Sequence, residues 1–332
     1  MPLIDMSAEK LADYRPDLPV PQNLEGFWRE TITEARQHEP VISCEQIDSR
    51  LRLVDTFDLT FAGFDGAPIR AWLHVPAGAT QPLPTVLSYC GYSGGRGFPF
   101  DNTVFAQAGY AHLIMDTRGQ SFAAGGWAAT PDPWRGAGVN HSPGWMTLGI
   151  LDPYEYYYRR VFTDGLRMLD AALTLPQVDV DKIILTGPSQ GGGITLAVAG
   201  LAGLHDIPLV GVAPEVPFLC DFPRATTILG RAPYNEVTNY LKGFRDHHDQ
   251  AYATLAHFDG AILDRWANAP AFFSVGLMDP VCPPSTVYAA YNWYADGRVD
   301  DKQLKVYPHN EHEGGGSYHL LAKLDWMAER FS

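Results

Sequence analysis

The chain has 332 residues and a formal net charge of −14, with 46% hydrophobic and 19% charged residues. That composition suits a folded domain with a sizeable core and excludes a largely disordered chain. So acidic a surface also argues against nucleic acid and anionic membranes as partners.

The N-terminal residues hold no basic-then-apolar leader, and no apolar run approaches the roughly 20 residues of a membrane span. Cys44, Cys90, Cys220 and Cys282 are far apart and form no CxxC pair. A cytoplasmic location, reduced thiols and no metal site are therefore expected.

Residues 1–50 read as an N-terminal extension packed on one main domain of residues 51–332. The extension carries a proline-rich segment at 15–21 and a helical stretch over 25–37. Alternating apolar and polar residues predict strands over 51–61 and 69–75, and Phe64, Asp65 and Gly66 supply the turn of a hairpin. The rhythm then changes to short continuous apolar runs at 84–89, 111–115, 182–186, 208–213, 271–275 and 303–307. A strand covered on both faces reads this way. Helical stretches over 154–173, 192–202, 284–295 and 318–330 lie among them. The alternation predicts an α/β fold with a doubly wound, mostly parallel sheet. Two segments break it. Residues 123–152, rich in Gly, Pro and Trp, read as an insertion loop, and residues 221–259 as a small helical cap.

The chemistry concentrates where the 182–186 strand runs into Gly187-x-Ser189-x-Gly191 and then a helix. A serine on a sharp strand-to-helix turn is exposed for attack, with small neighbours allowing close backbone approach. The helix N-terminus stabilises negative charge on the attacked carbonyl. This is the nucleophile elbow of an α/β hydrolase, with Ser189 as candidate nucleophile. In that fold the acid and base follow the last two strands. Asp279, after the 271–275 strand, is the candidate acid. The glycine-rich segment after 303–307 offers two candidate bases, His309 and His312; the adjoining Glu313 and three glycines favour His312 without excluding His309. The loop after 84–89 places Tyr92 as one oxyanion donor through its backbone N–H and as a wall of the acyl pocket, with the N–H of Gln190 as the second donor. Arg118, Gly119 and Gln120 follow another strand and read as scaffold. The fold alone leaves peptidase, longer-chain esterase and acyltransferase activities open.

Together these residues resemble a known family. Arg118-Gly119-Gln120, the segment from Gly187 to Gly192, and His312-Glu313 are similar to the three signature motifs of the acetyl xylan esterase and cephalosporin C deacetylase family, the seventh family of carbohydrate esterases. Residues 149–164, residues 217–221 and the Tyr14-Arg15-Pro16 segment extend the similarity along the chain. The resemblance selects His312 as base, with Ser189 as nucleophile, Asp279 as acid, and Tyr92 and Gln190 as oxyanion donors. It implies a cytoplasmic, cofactor-independent homohexamer, with part of 123–152 in the oligomer contacts. Its implied substrates are small acetylated compounds: xylo-oligosaccharides, sugars and cephalosporin C. Pro188 before the serine and Leu148 in the 145–150 segment depart from the family pattern.

Overall fold

The computed structural model describes residues 5–123, 130–134 and 144–332. Half of the loop expected over 123–152 therefore lies outside the described residues. The N-terminal part forms α1 (Ala8–Ala12), α2 (Leu24–Ala35) and β1 (Val41–Ile47). A hairpin follows, of β2 (Val54–Ala62) and β3 (Pro68–Pro76), paired from Val54 opposite Pro76 to Ala62 opposite Pro68. Its turn places Asp65 and Gly66 at φ 54° and 66°, the left-handed geometry that Asp-Gly turns supply. The alternating unit then runs β4 (Leu83–Ser88), α3 (Val104–Gln107), β5 (Ala111–Met115), α4 (Tyr157–Ala172), β6 (Val178–Pro188), α5 (Gln190–Leu204) and β7 (Gly211–Glu215). Four short helices come next: α6 (Phe222–Ile228), α7 (Asn235–Gly243), α8 (His248–Leu255) and α9 (Gly260–Leu263). The chain ends with β8 (Ala271–Gly276), α10 (Pro284–Trp293), β9 (Lys302–Tyr307) and α11 (Gly316–Phe331).

The strands form one sheet in the order β1-β2-β3-β5-β4-β6-β7-β8-β9. β1, β2, β3 and β5 pair antiparallel, and every pair from β5–β4 onward is parallel. The mostly parallel α/β sheet expected from the apolar runs is therefore present. Side chains alternate across it. Leu87, Ile183 and Leu185 join the large core beneath α2, α4 and α5, while Val86 and Ile184 face Phe105, Trp326 and Phe331 on the other side. That double coverage is why these strands read as unbroken apolar runs. Helix α5 is apolar nearly all round because it is buried nearly all round, with only Gly203 partly exposed.

Strand β1 was not anticipated. It is an edge strand carrying Glu45 and Gln46 and has no fully buried residue, so it lacks the apolar run that marks the central strands. The segment before it is tied down by side chains. Tyr14 donates its hydroxyl to Asp221 at 2.8 Å, and Asn292 and Trp293 of α10 donate to the carbonyls of Tyr14 and Pro16 at 2.9 Å each.

Candidate active site

Ser189 stands between β6 and α5 at the C-terminal end of the parallel strands, where open α/β sheets form their crevices. Its φ of 56° is costly for a residue with a side chain. Hydrogen bonds from both sides hold it there: its N–H donates to Glu215 O at 2.8 Å, and its carbonyl accepts from Phe218 at 2.9 Å and Gly193 at 3.0 Å. The turn also brings backbones into contact. A Cβ on Gly191 would stand 2.1 Å from Tyr89 O, and one on Gly187 would stand 2.6 Å from Gly191 C, so neither position accepts a larger residue without movement. Pro188 is exposed and closes β6 opposite Glu215, and the ladder continues through the Ser189 N–H.

His312 sits on the loop between β9 and α11, ahead of Gly314, Gly315 and Gly316, which take φ values of 53°, 91° and 50°. This run of left-handed residues reverses the chain into α11. Glu313 is exposed and closes the loop, accepting from Asn310 Nδ2 at 2.6 Å and Glu311 N at 3.1 Å; the bond from Asn310 holds its carboxyl below the usual range. Met278 N donates to Asn310 O at 3.0 Å, which docks this loop on the one carrying Asp279. The three side chains form a hydrogen-bonded chain: His312 Nε2 lies 2.9 Å from Ser189 Oγ, and His312 Nδ1 lies 2.8 Å from Asp279 Oδ2. An ionised carboxylate only accepts, so Nδ1 carries the proton and Nε2 presents its lone pair to the serine hydroxyl. Asp279 is fully buried, and its second oxygen accepts from the N–H groups of Val281 and Cys282 at 2.7 and 2.9 Å. His309 is exposed and takes no part in this chain.

The loop after β4 reaches the same point. A Cβ on Gly91 would come within 4.0 Å of that of Ser189. Among the described residues the backbone N–H groups of Tyr92 and Gln190 donate none of the backbone hydrogen bonds found in turns, loops and caps. Behind them lies a buried amide pair. Gln120 donates to Gln190 Oε1 at 2.8 Å, accepts from Ser93 N at 2.8 Å, and donates to Tyr157 Oη at 3.0 Å. Tyr158 adds a second donor to Gln190 Oε1 at 2.9 Å. The scaffold reading of Arg118 acquires a physical basis. Its guanidinium binds Asp164 through two bonds of 2.6 and 2.7 Å in full burial, and Asp164 accepts from Phe64 N at 2.9 Å. This pair ties the β5 loop, α4 and the hairpin turn together, and Gly119 carries the chain from it to Gln120. Leu148 is partly buried against the core, and its carbonyl accepts from Tyr157 N at 3.0 Å.

Some residues here had no clear signal in the sequence. The Tyr92 hydroxyl donates to Glu236 on α7, at 2.8 and 2.9 Å from its two oxygens. The Tyr92 ring meets Trp145 and Phe218 edge-on at 5.0 and 6.0 Å. Cys282 lies beside the serine and histidine; one ligand atom each of Cys282, Asp279 and His312 fall within 4.8 Å of one another. Burial holds its thiol well above the usual range, so it stays protonated and is no rival nucleophile. Cys90 and Cys220 are likewise buried, and Cys44 is half-buried; all four cysteines are free.

Sheet order, elbow and the Ser–His–Asp geometry together define the class of this molecule, an α/β hydrolase. Residues 1–330 match the family described as Acetyl xylan esterase (AXE1), and the chain belongs to that family, making it a carboxylic ester hydrolase. The acetyl xylan esterase from Paenibacillus sp. R4 is 36% identical, with a TM-score of 0.87 over 98% of this chain and 99% of that one. Acetyl xylan esterase 1 from Thermoanaerobacterium sp. JW/SL YS485 is 31% identical, with a TM-score of 0.86 over 99% and 100%. Acetyl esterase Axe7A of Xylanibacter ruminicola is 27% identical over 316 residues; the match covers 93% of this chain and 66% of that longer protein. No helix among the described residues is long and apolar enough to cross a membrane.

Proposed function

We propose that the protein removes acetyl groups from small esters, such as acetylated xylo-oligosaccharides, acetylated sugars and cephalosporin C, by acyl transfer through Ser189. The observation that carries this reading is the chain of 2.9 and 2.8 Å contacts from Ser189 through His312 to buried Asp279, in a member of an acetyl xylan esterase family. His312 takes the hydroxyl proton as Ser189 attacks the ester carbonyl. Asp279 keeps the imidazole in the right tautomer and stabilises the imidazolium. Negative charge on the carbonyl oxygen is met by the N–H groups of Tyr92 and Gln190 at the N-terminus of α5, each contributing about 3 kcal/mol to the lowered barrier. The protonated His312 then gives its proton to the departing alcohol, and water repeats the cycle on the acetyl-enzyme. No metal or cofactor enters these steps.

Ser189→Ala assayed on p-nitrophenyl acetate tests the assignment. Turnover is expected to fall to near background, and undiminished turnover would exclude Ser189 as nucleophile. A kinetic panel of acetylated xylo-oligosaccharides, acetylated monosaccharides and cephalosporin C ranks the substrates. The reading extends to a cytoplasmic homohexamer, for which light scattering on the pure protein is the check; a monomer would rule the assembly out.

A further inference from the structure

Tyr92 has two duties in the reading above: its peptide N–H faces the oxyanion and its ring walls the acyl pocket. Both depend on where the ring sits, and the ring is held at its far end. Trp145 and Gly144 donate their N–H groups to the Tyr92 hydroxyl oxygen at 3.2 and 3.4 Å, and that hydroxyl donates to Glu236, 2.8 and 2.9 Å from its oxygens. Glu236 Oε2 also accepts from Met146 N at 3.2 Å. Three stretches far apart in sequence thus meet at one phenol: the loop after β4, residues 144–146, and helix α7. Trp145 and Met146 are fully buried, so this junction is part of the packed interior.

We infer that Glu236 is a positioning residue for ester cleavage, holding Tyr92 so that its N–H meets the oxyanion and its ring limits the length of the acyl group. The inference rests on the proposed role of Tyr92. A carboxylate suits the position because these contacts, the phenol O–H and the Met146 N–H, are donors. A glutamine keeps one acceptor oxygen in place of two and turns an NH₂ toward a phenol oxygen that already accepts from two peptide N–H groups, which weakens the anchor. Without the carboxylate anchor, the ring keeps its packing on Trp145 and Phe218 and the longer N–H contacts at 3.2 and 3.4 Å, but loses its shortest bond and with it part of what fixes its tilt. The β4 loop, and the N–H it carries, then sample positions off the oxyanion. Geometry errors of this kind reduce turnover more than binding. A looser ring also lets the pocket admit longer acyl chains.

The experiment compares wild type, Glu236→Gln, Tyr92→Phe and the double variant on p-nitrophenyl acetate and butyrate, with thermal melting of each. Each single variant is expected to lower kcat on acetate by about tenfold or more, with KM within about twofold. The butyrate-to-acetate ratio of kcat/KM should rise, and the double variant should be no slower than the slower single, because both act on the same contact. If Glu236→Gln does not fold, Glu236→Asp, which keeps the charge but shortens its reach, takes its place beside Tyr92→Phe, which deletes one oxygen and keeps the ring. Wild-type kcat and an unchanged chain-length ratio in a folded Tyr92→Phe would overturn the inference, as would losses that multiply in the double variant. Ser189→Ala separates the two readings. Activity surviving in that variant sinks the site assignment, whereas Ser189-dependent activity indifferent to Glu236 and the Tyr92 hydroxyl sinks only this one.

Discussion

Ser189 occupies a conformation that a side chain resists, and the molecule invests three backbone hydrogen bonds in keeping it there. Strain held this way at one residue is what exposes the hydroxyl to His312 while leaving the N–H of Gln190 at a free helix terminus. Asp279 works at the same scale. With one oxygen on the ring and the other on two peptide N–H groups, it is rigid, buried and acceptor-only. Asp279→Asn preserves the shape but offers an amide that can donate toward Nδ1, favouring the tautomer with its proton on Nε2. That variant is expected to lower kcat by about 10⁴-fold, with KM much less affected, in steady-state assays on p-nitrophenyl acetate. A loss of less than tenfold would mean that His312 does not depend on Asp279 for its tautomer.

The elements around the site are held in register by buried charge as well as by apolar packing. Helix α4 places Arg159, Arg160, Asp164 and Arg167 in the interior. Asp164 takes the fork of Arg118, and Arg160 pairs with Asp132 at 2.7 Å. Arg118 therefore joins α4 to the loop that delivers Gln120 to the amide pair behind the proposed oxyanion donors. Arg118→Met would leave Asp164 buried without its counter-charge. The expected cost is about 3–5 kcal/mol of unfolding free energy, read from urea denaturation. Activity should fall with it at temperatures where the variant stays folded, because Gln120 loses its support. Unchanged stability would show that this ion pair is replaceable by packing.

Across the whole molecule, the two faces of the sheet differ in their response to acid. On the face toward α11, His112 is enclosed between Asn102 O and Ser88 Oγ, at 2.8 Å from each, with His74 nearby. Burial, and then the neighbouring His74, depress His112 from its ordinary 6.5 to about 3; burial and Arg96 depress His74 to about 4. Both rings are neutral when folded and take up protons on unfolding. Their contribution to stability is therefore complete above pH 6.5 and is lost as pH falls toward those lower values. Asp259, raised by burial to about 7, acts in the opposite sense: it favours the folded state at low pH, and that contribution is lost as pH rises through 7. Comparing slopes isolates one histidine. In His112→Asn, unfolding free energy should depend on pH less steeply, by about 1.4 kcal/mol per unit at most, between 6.5 and about 3. Parallel curves for variant and wild type would show that His112 takes up its proton equally in the folded and unfolded states.

Much of this architecture was legible from residue order. Period-two alternation marked β2 and β3, and unbroken apolar runs marked the central strands, because a side chain's burial on one face or two is written into its local pattern. Strand β7 begins later than its apolar run suggests, at Gly211, although Val210 N already donates to Ile183 O of β6. Edge strand β1 was missed because its partner supplies hydrogen bonds to the backbone, which no side chain records. The positions of Ser189, Asp279 and a histidine after the last strand followed from chain order. On the residues alone the choice between His309 and His312 stayed open, and only folding brings His312 to 2.9 Å from Ser189 Oγ. Glu236 had no signal at all. A glutamate on an ordinary amphipathic helix looks like a solvated face, and it meets Tyr92, 144 positions away, only once two loops and helix α7 have packed. Local periodicity governs which elements form; which side chains meet across them is decided by long-range packing.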